Sequence, residues 1–511
     1  MQAYRFCFTA IAAATMLSAC GGGSDNPPEN EAPYVLNVKK VEGRYNTNKA
    51  ATATDLKSLS AFNAANAVTI SLPALDTQDL VLKSAAVGGA VQVAEAQAVP
   101  QAKTATQLAQ LLSWQTDAQG QNTAALRVHA TDAFGLRLGL VVDALPDSAT
   151  VRVFKEANGQ VEAVGYETTG AAINQTIKNN TDAGDTSIAG RTWWSADLGG
   201  DTVVLQINLP AGVPSEAVKV ALPTISNMFR DASEYTYAVE SADSASSSNP
   251  LQDLNFNPAI TKAEQVPSAG SCNLDVTCYN NGSQQRDAVA RMLFTQADGK
   301  GYWCTGSLLN DAINSNTPYF LTANHCISSQ TEASSLQTDW FFRTSSCNGN
   351  YLDAKRTTRA GGARLLFSNN SEQGNDITLL VLNDAAPAGT FLAGWDANQN
   401  NTEQNIYGIH HPAGSLAKIA GGQTVAYANC NGDTCSSNPN GRFYWVQWAE
   451  GITEGGSSGS ALFTANGYVI GALHGGSSEC SAKGSPDFYG RLDMAFEAGA
   501  KNFLASSKVP F

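Results

Sequence analysis

The sequence predicts an all-β chain made of two strand-rich regions, the first sandwich-like and the second cross-linked by disulfides. Two observations carry that expectation. Short runs of alternating apolar and polar residues recur between turn residues, and 45 glycines suit a turn-rich protein. The cysteines are unevenly spread, with eight of the ten between Cys272 and Cys480. At 511 residues the chain exceeds one ordinary core, and 43% hydrophobic against 15% charged residues allows large cores to be buried. A formal charge of −14 leaves no electrostatic footprint for nucleic acid; it serves solubility and mildly favours basic substrates.

Residues 1–19 read as an export signal: Arg5 gives a positive start, Phe6 to Met16 an apolar core too short to span a bilayer. Leu17-Ser18-Ala19-Cys20 followed by Gly21 resembles a bacterial lipoprotein box. That resemblance implies lipidation of Cys20 and a membrane partner, and Gly21 after the cysteine points to the outer membrane. Residues 20–33, rich in Gly, Pro and acid, form a tether.

Residues 34–245 hold no cysteine and one histidine, His129, so catalytic equipment is sparse. Leu136 to Val142, Thr150 to Phe154 and Thr202 to Ile207 have strand periodicity, with turns at Leu145-Pro146-Asp147-Ser148 and Gly199-Gly200-Asp201. A β-sandwich is expected here. The alanine- and glutamine-rich stretch near 90–112 reads as one helix or as partly disordered. Residues 246–265 are a linker, marked by the serine-rich run at Ser241 to Pro250, which is linker by composition.

Residues 266–511 carry the remaining cysteines, four of the five histidines and strand-like runs at 319–321, 377–382, 445–448 and 468–473. Met494 to Ala505 reads as a closing helix. Eight cysteines in one region of an exported chain imply up to four disulfides; no Cys-x-x-Cys or His-x-x-x-His spacing suggests zinc, and no metal or cofactor is expected.

Three signals in this region carry chemistry. A strand-like run ends in His325 beside Cys326; Asp376 opens an apolar strand; and Ser458 sits in the glycine-rich turn Gly455-Gly456-Ser457-Ser458-Gly459-Ser460. A serine hydroxyl is a poor nucleophile at neutral pH, so it needs a base, and the base needs a third group to fix its tautomer. His325, Asp376 and Ser458 supply one candidate for each role, with Ser460 a rival nucleophile. The glycines let the N–H groups of Gly456 and Ser458 aim at one point, where an oxyanion would form.

With Cys304-Thr305-Gly306-Ser307, Ile409-His410-His411-Pro412, Val446-Gln447-Trp448, Leu473-His474-Gly475-Gly476 and Asp487-Phe488-Tyr489-Gly490-Arg491, these segments resemble the chymotrypsin-like serine peptidases, and among them the bacterial lysyl endopeptidases. The resemblance covers about residues 270–495. It implies a chymotrypsin-like double β-barrel, the triad His325, Asp376 and Ser458 rather than Ser460, and protein or peptide substrates. It also implies the disulfides Cys272–Cys480, Cys278–Cys347 and Cys304–Cys326, leaving Cys430 and Cys435 to close a local loop. Asp487 matches the acid that the lysyl endopeptidases use to hold a lysine, with Glu454 in reserve because the trypsin-type position is Ile452. His474 would flank the pocket, Gly475 and Gly476 would offer backbone to the substrate, and Tyr427 stands about where the family has a pocket tryptophan.

The expected activity is therefore hydrolysis of peptide bonds after Lys or Arg by an exported enzyme, held at the outer membrane or secreted after processing. A catalytically inactive surface lipoprotein is the alternative from another class. An α/β-hydrolase esterase would need the order Ser, Asp, His. Residues 34–245 are either a propeptide that assists folding and inhibits the enzyme or a permanent binding module, with Lys262 a candidate self-cleavage point. Ser457 replaces the acid of trypsin-like zymogens, so activation is expected to need no buried new N-terminus.

Overall fold

The computed structural model describes residues 32–47, 57–58, 67–76, 89–230, 269–349, 351–482 and 484–509. The export segment with Cys20, most of the tether, and the linker with Lys262 lie outside the described residues.

Two sheets make up the N-terminal unit. One has the order Lys57–Ser58, Gln160–Thr169, Thr150–Ala157, Thr202–Leu209, Asn122–Ala130, Val68–Leu72. The other runs Thr192–Trp194, Gly135–Ala144, Lys219–Met228, Val91–Ala98. Strand alternation explains the layering: Val151 and Val153 point inward with Leu126, Val128, Leu136 and Leu138, whereas Arg152 stays half-exposed. The expected sandwich is present. The stretch near 90–112 contains both a strand, Val91–Ala98, and a helix, Ala105–Leu111, whose start is fixed by a capping box of Thr104 and Gln107.

The C-terminal unit is a pair of barrels. Its first half is open, with the order Thr357–Arg359, Gln337–Trp340, Val289–Thr295, Gly301–Leu309, Tyr319–Ala323, Ile377–Leu382, Ala363–Asn369. The second closes through six strands: Asn405–His410, Lys418–Asn431, Phe443–Glu450, Asp487–Arg491, Val469–Gly476 and Ala461–Thr464, which returns to Asn405–His410. This is the expected double barrel. The closing helix is in pieces, Leu492–Ala495 and Lys501–Leu504, with a wide turn between them at Gly499. Four disulfides join Cys272 to Cys480, Cys278 to Cys347, Cys304 to Cys326 and Cys430 to Cys435.

The two units share a sheet. Val91–Ala98 pairs with Gly301–Leu309, matching Val91 with Trp303, Gln92 with Tyr302 and Ala94 with Gly301. Polar groups complete the seam: the buried Arg137 donates to Ser195 O, Thr295 Oγ1 and Ser335 O, and Asp197 N donates to Gln337 Oε1. Residues 34–46, expected within the N-terminal domain, instead lie against the C-terminal unit; their strand Lys40–Val41 pairs with Trp395–Asp396.

Candidate active site

His325 follows the strand Tyr319–Ala323, and Cys326 beside it is tied to Cys304 on the neighbouring strand. Asp376 precedes Ile377–Leu382, the strand paired with Tyr319–Ala323, so the sheet register sets the two residues side by side. The Asn369 side chain clamps that turn by accepting from Asn375 N and Ile377 N. Asp376 accepts from His325 twice, from the backbone N at 2.9 Å and from Nδ1 at 2.7 Å. His325 Nε2 is buried without a hydrogen-bond partner among the described residues.

Ser458 arrives from the second barrel. Thr305 N donates to Ser458 O at 2.9 Å, Thr305 Oγ1 to Gly456 O at 2.9 Å, and Thr322 Oγ1 to Thr305 O at 3.0 Å. This ladder fixes the serine turn against the segment carrying His325. Ser457 Oγ accepts from Glu454 N and pairs with His410 Nδ1 at 2.8 Å, so that position is neutral and already satisfied. Ser460 is buried in the same turn.

A second histidine reaches Asp376. His474 Nδ1 lies 2.5 Å from Asp376 Oδ2, and its Nε2 lies 3.0 Å from Gly432 O in the hairpin closed by Cys430–Cys435. Two acceptors flank one imidazole, which suits the doubly protonated form. Burial opposes that charge, but the bond and charge attraction to Asp376, with Gly432 O and Asp433, together outweigh it and raise the His474 pKa. Burial likewise opposes ionisation of Asp376, yet His325 and His474 together hold its carboxyl well below the usual range.

Asp487 sits at the convergence of three walls and is fully buried. Its Oδ2 accepts from Trp448 Nε1 at 2.6 Å, Thr453 Oγ1 at 2.6 Å and Ser478 Oγ at 2.8 Å, and its Oδ1 from Ser478 N at 3.2 Å. Burial raises its pKa despite these bonds. Glu454, the reserve anion, is occupied by Gly270 N. Gly475 and Gly476 continue the strand of His474 and pair with Phe488 and Asp487. Tyr427 lies on the strand Lys418–Asn431 and its hydroxyl donates to Asn400 O. Its ring lies under the Arg491 guanidinium and near Tyr444, and Phe443 is the aromatic against His474, at 5.2 Å.

One contact comes from the N-terminal unit: Gly456 N donates to Gly89 O at 3.0 Å. Sequence reasoning missed this, since Gly89 carries no side chain to mark it. It also missed the link between His474 and Asp376, residues 98 apart, and the three side-chain donors to Asp487.

A double barrel with an aspartate-bound histidine on one half and a serine in a glycine turn on the other is the architecture of a trypsin-like serine endopeptidase, and this chain is of that class. Residues 266–490 match the family described as lysyl endopeptidase, C-terminal domain, and residues 71–229 the lysyl endopeptidase N-terminal domain. The chain is 31% identical over 399 residues to the lysyl endopeptidase of Pseudomonas aeruginosa, covering 74% of this chain and 75% of that protein. It belongs to the lysyl endopeptidase family. A secreted RxLR effector protein 73 of Plasmopara viticola is 27% identical over 259 residues, 47% of this chain and 60% of that protein. Among solved structures, the active form of the Rv3671c protease from M. tuberculosis aligns with 53% of this chain and 97% of its own, at 13% identity and a TM-score of 0.30.

Proposed function

We propose that this protein is an exported endopeptidase that cuts after lysine, with Ser458 as nucleophile, His325 as base and Asp376 as the group that orients it. The observation that carries the reading is the pair of bonds that Asp376 accepts from His325, which leaves Nε2 buried and, among the described residues, unpartnered, in the segment against which the Ser458 turn is anchored. Ser458 Oγ adds to the scissile carbonyl carbon as its proton passes to Nε2, and the oxyanion is held by the N–H groups of Gly456 and Ser458. The same proton then leaves with the amine, and water hydrolyses the acyl-enzyme. Asp487 supplies the anion for a lysine ammonium, which would be costly to bury unpaired. The four disulfides suit an oxidising compartment, and the lipoprotein box suits an anchor at Cys20.

The N-terminal unit fits an inhibitor better than a separate binding module. Gly89 O occupies the donor Gly456 N, assigned above to the oxyanion, and Val91 pairs with Trp303 beside Cys304; these two contacts support a segment 89–91 that blocks the cleft in the manner of a substrate. Gly89 has φ of 98° and no side chain, which leaves nothing to fill a lysine pocket.

A fluorescent lysyl diphenyl phosphonate, which phosphonylates active serines with loss of phenol, tests both parts. The processed enzyme should label, Ser458→Ala should not and should lose turnover by about four orders of magnitude or more, and the intact chain should label slowly. Val91→Pro, which disrupts the pairing with Trp303, should speed labelling of the intact chain. Labelling of Ser458→Ala would remove the catalytic assignment; equal rates for intact and processed wild type would remove the inhibition.

A further inference from the structure

The segment 34–46 precedes the N-terminal unit in sequence, yet among the described residues its strand pairings, ion pairs and backbone bonds reach residues of the C-terminal unit. Val41 is buried in the core of the C-terminal unit, and Lys40–Val41 adds an edge strand to the sheet of the second barrel. Gly43 is pressed so close to Phe391 and Gly394 N that a Cβ would stand 2.5 and 2.7 Å from them. Arg44 donates to Asn310 Oδ1 at 3.2 Å and Asn314 O at 2.8 Å, and Tyr468 donates to Glu42 Oε1 at 2.5 Å. Backbone bonds run the length of the segment: Ser507 N to Tyr34 O, Leu36 N to Ala505 O, Ala397 N to Lys39 O and Asn46 N to Thr390 O. Residues 34–46 also fall outside both family matches, which cover 71–229 and 266–490.

We infer that residues 34–46 are a docking strap that stays on the C-terminal unit after the chain between them is cut, and so hold the processed enzyme to whatever precedes residue 34. Two hydrolyses, one on each side of the N-terminal unit, consume two waters and touch no strap contact. Lys39 and Lys40 are withheld from such cutting, because their backbone is engaged with Asp396 and Ala397 and would have to peel away to enter a cleft. With a lipid on Cys20, the product is an anchored two-chain enzyme rather than a released one. That consequence rests on the proposed endopeptidase; the strap itself does not.

The test therefore separates the two. A full chain bearing Ser458→Ala, with an N-terminal biotin tag in place of residues 1–20, receives recognition sequences for an unrelated site-specific protease within 48–56 and within 246–256. After both cuts, streptavidin should recover the 266–511 domain together with the tagged strap. Val41→Asp should weaken retention roughly a hundredfold, since it buries a carboxylate without a partner. Should that variant reduce yield, synthetic peptide 33–46 must displace the tagged strap from the cut wild-type complex. Recovery of the tag alone, with the remainder folded in the flow-through, overturns the inference, as does retention unaffected by the peptide or by Val41→Asp.

Discussion

Replacing Asp487 by asparagine separates two roles of one buried group. Three donors converge on Oδ2 and one on Oδ1. With its carbonyl at the Oδ2 position, asparagine keeps three bonds and turns its amide toward Ser478 N, a donor facing a donor, at about 1–3 kcal/mol. Acting against this, the carboxylate's pKa is raised by burial. A raised folded pKa favours the protein below the unfolded value and costs stability as pH climbs, so removing the charge returns some stability at neutral pH. The two effects offset, and the melting temperature should move by only a few degrees. A bound lysine ammonium has no such compensation: losing its buried partner costs about 3–5 kcal/mol, a factor of roughly 10² to 10³ in kcat/KM. The assay is a panel of peptide amides ending in Lys, Arg and Phe, run on both proteins with thermal melts alongside. A lysine-to-phenylalanine ratio unchanged in a folded Asp487→Asn enzyme would refute the reasoning.

The second histidine on Asp376 makes a pH prediction. His474 is one of the two histidines that hold the Asp376 carboxyl below its usual range, so His474→Ala should let that carboxyl titrate higher and move the acid limb of kcat/KM upward; an unmoved limb would show that His474 is not coupled to the Asp376–His325 pair. At the seam, burial raises the pKa of Asp197 to about 6, opposed by Gly199 N and Arg137. Stability is thus fully present below the ordinary carboxylate range and is lost progressively as pH rises through about 6, so Asp197→Asn should be the more stable intact chain at pH 8 by on the order of 2–3 kcal/mol, with roughly half of that gain already present at pH 5. Urea unfolding of Ser458→Ala chains at both values checks it.

What the sequence made legible was whatever has a local signature. Strand alternation showed the sandwich, and the runs around His325, Asp376 and Ser458 each had a chemical reason for their residues. The contacts that register and closure create were not legible. Asp376 meets His474 only because the second barrel closes, and Thr453, Ser478 and Trp448 converge on Asp487 from three separate strands or loops. The aromatic that meets His474 was not legible for a related reason: position along a strand does not tell which side chain meets a histidine on another strand, and Phe443 does so. Residues 34–46 look like the start of the next domain, since nothing in a short strand names its partner.

The strand Val91–Ala98 has a consequence for how the enzyme reaches its active form. It is hydrogen-bonded to Lys219–Met228 on one side and to Gly301–Leu309 on the other, so the earlier-synthesised unit offers a finished edge to the first barrel. Long-range strand pairing is slow because loop closure precedes its reward, and a preformed edge lowers that barrier. If the N-terminal unit is removed, as proposed above, the barrel loses the template that eases its assembly, and the processed enzyme is then expected to unfold irreversibly in practice, with a lifetime set by the height of its unfolding barrier.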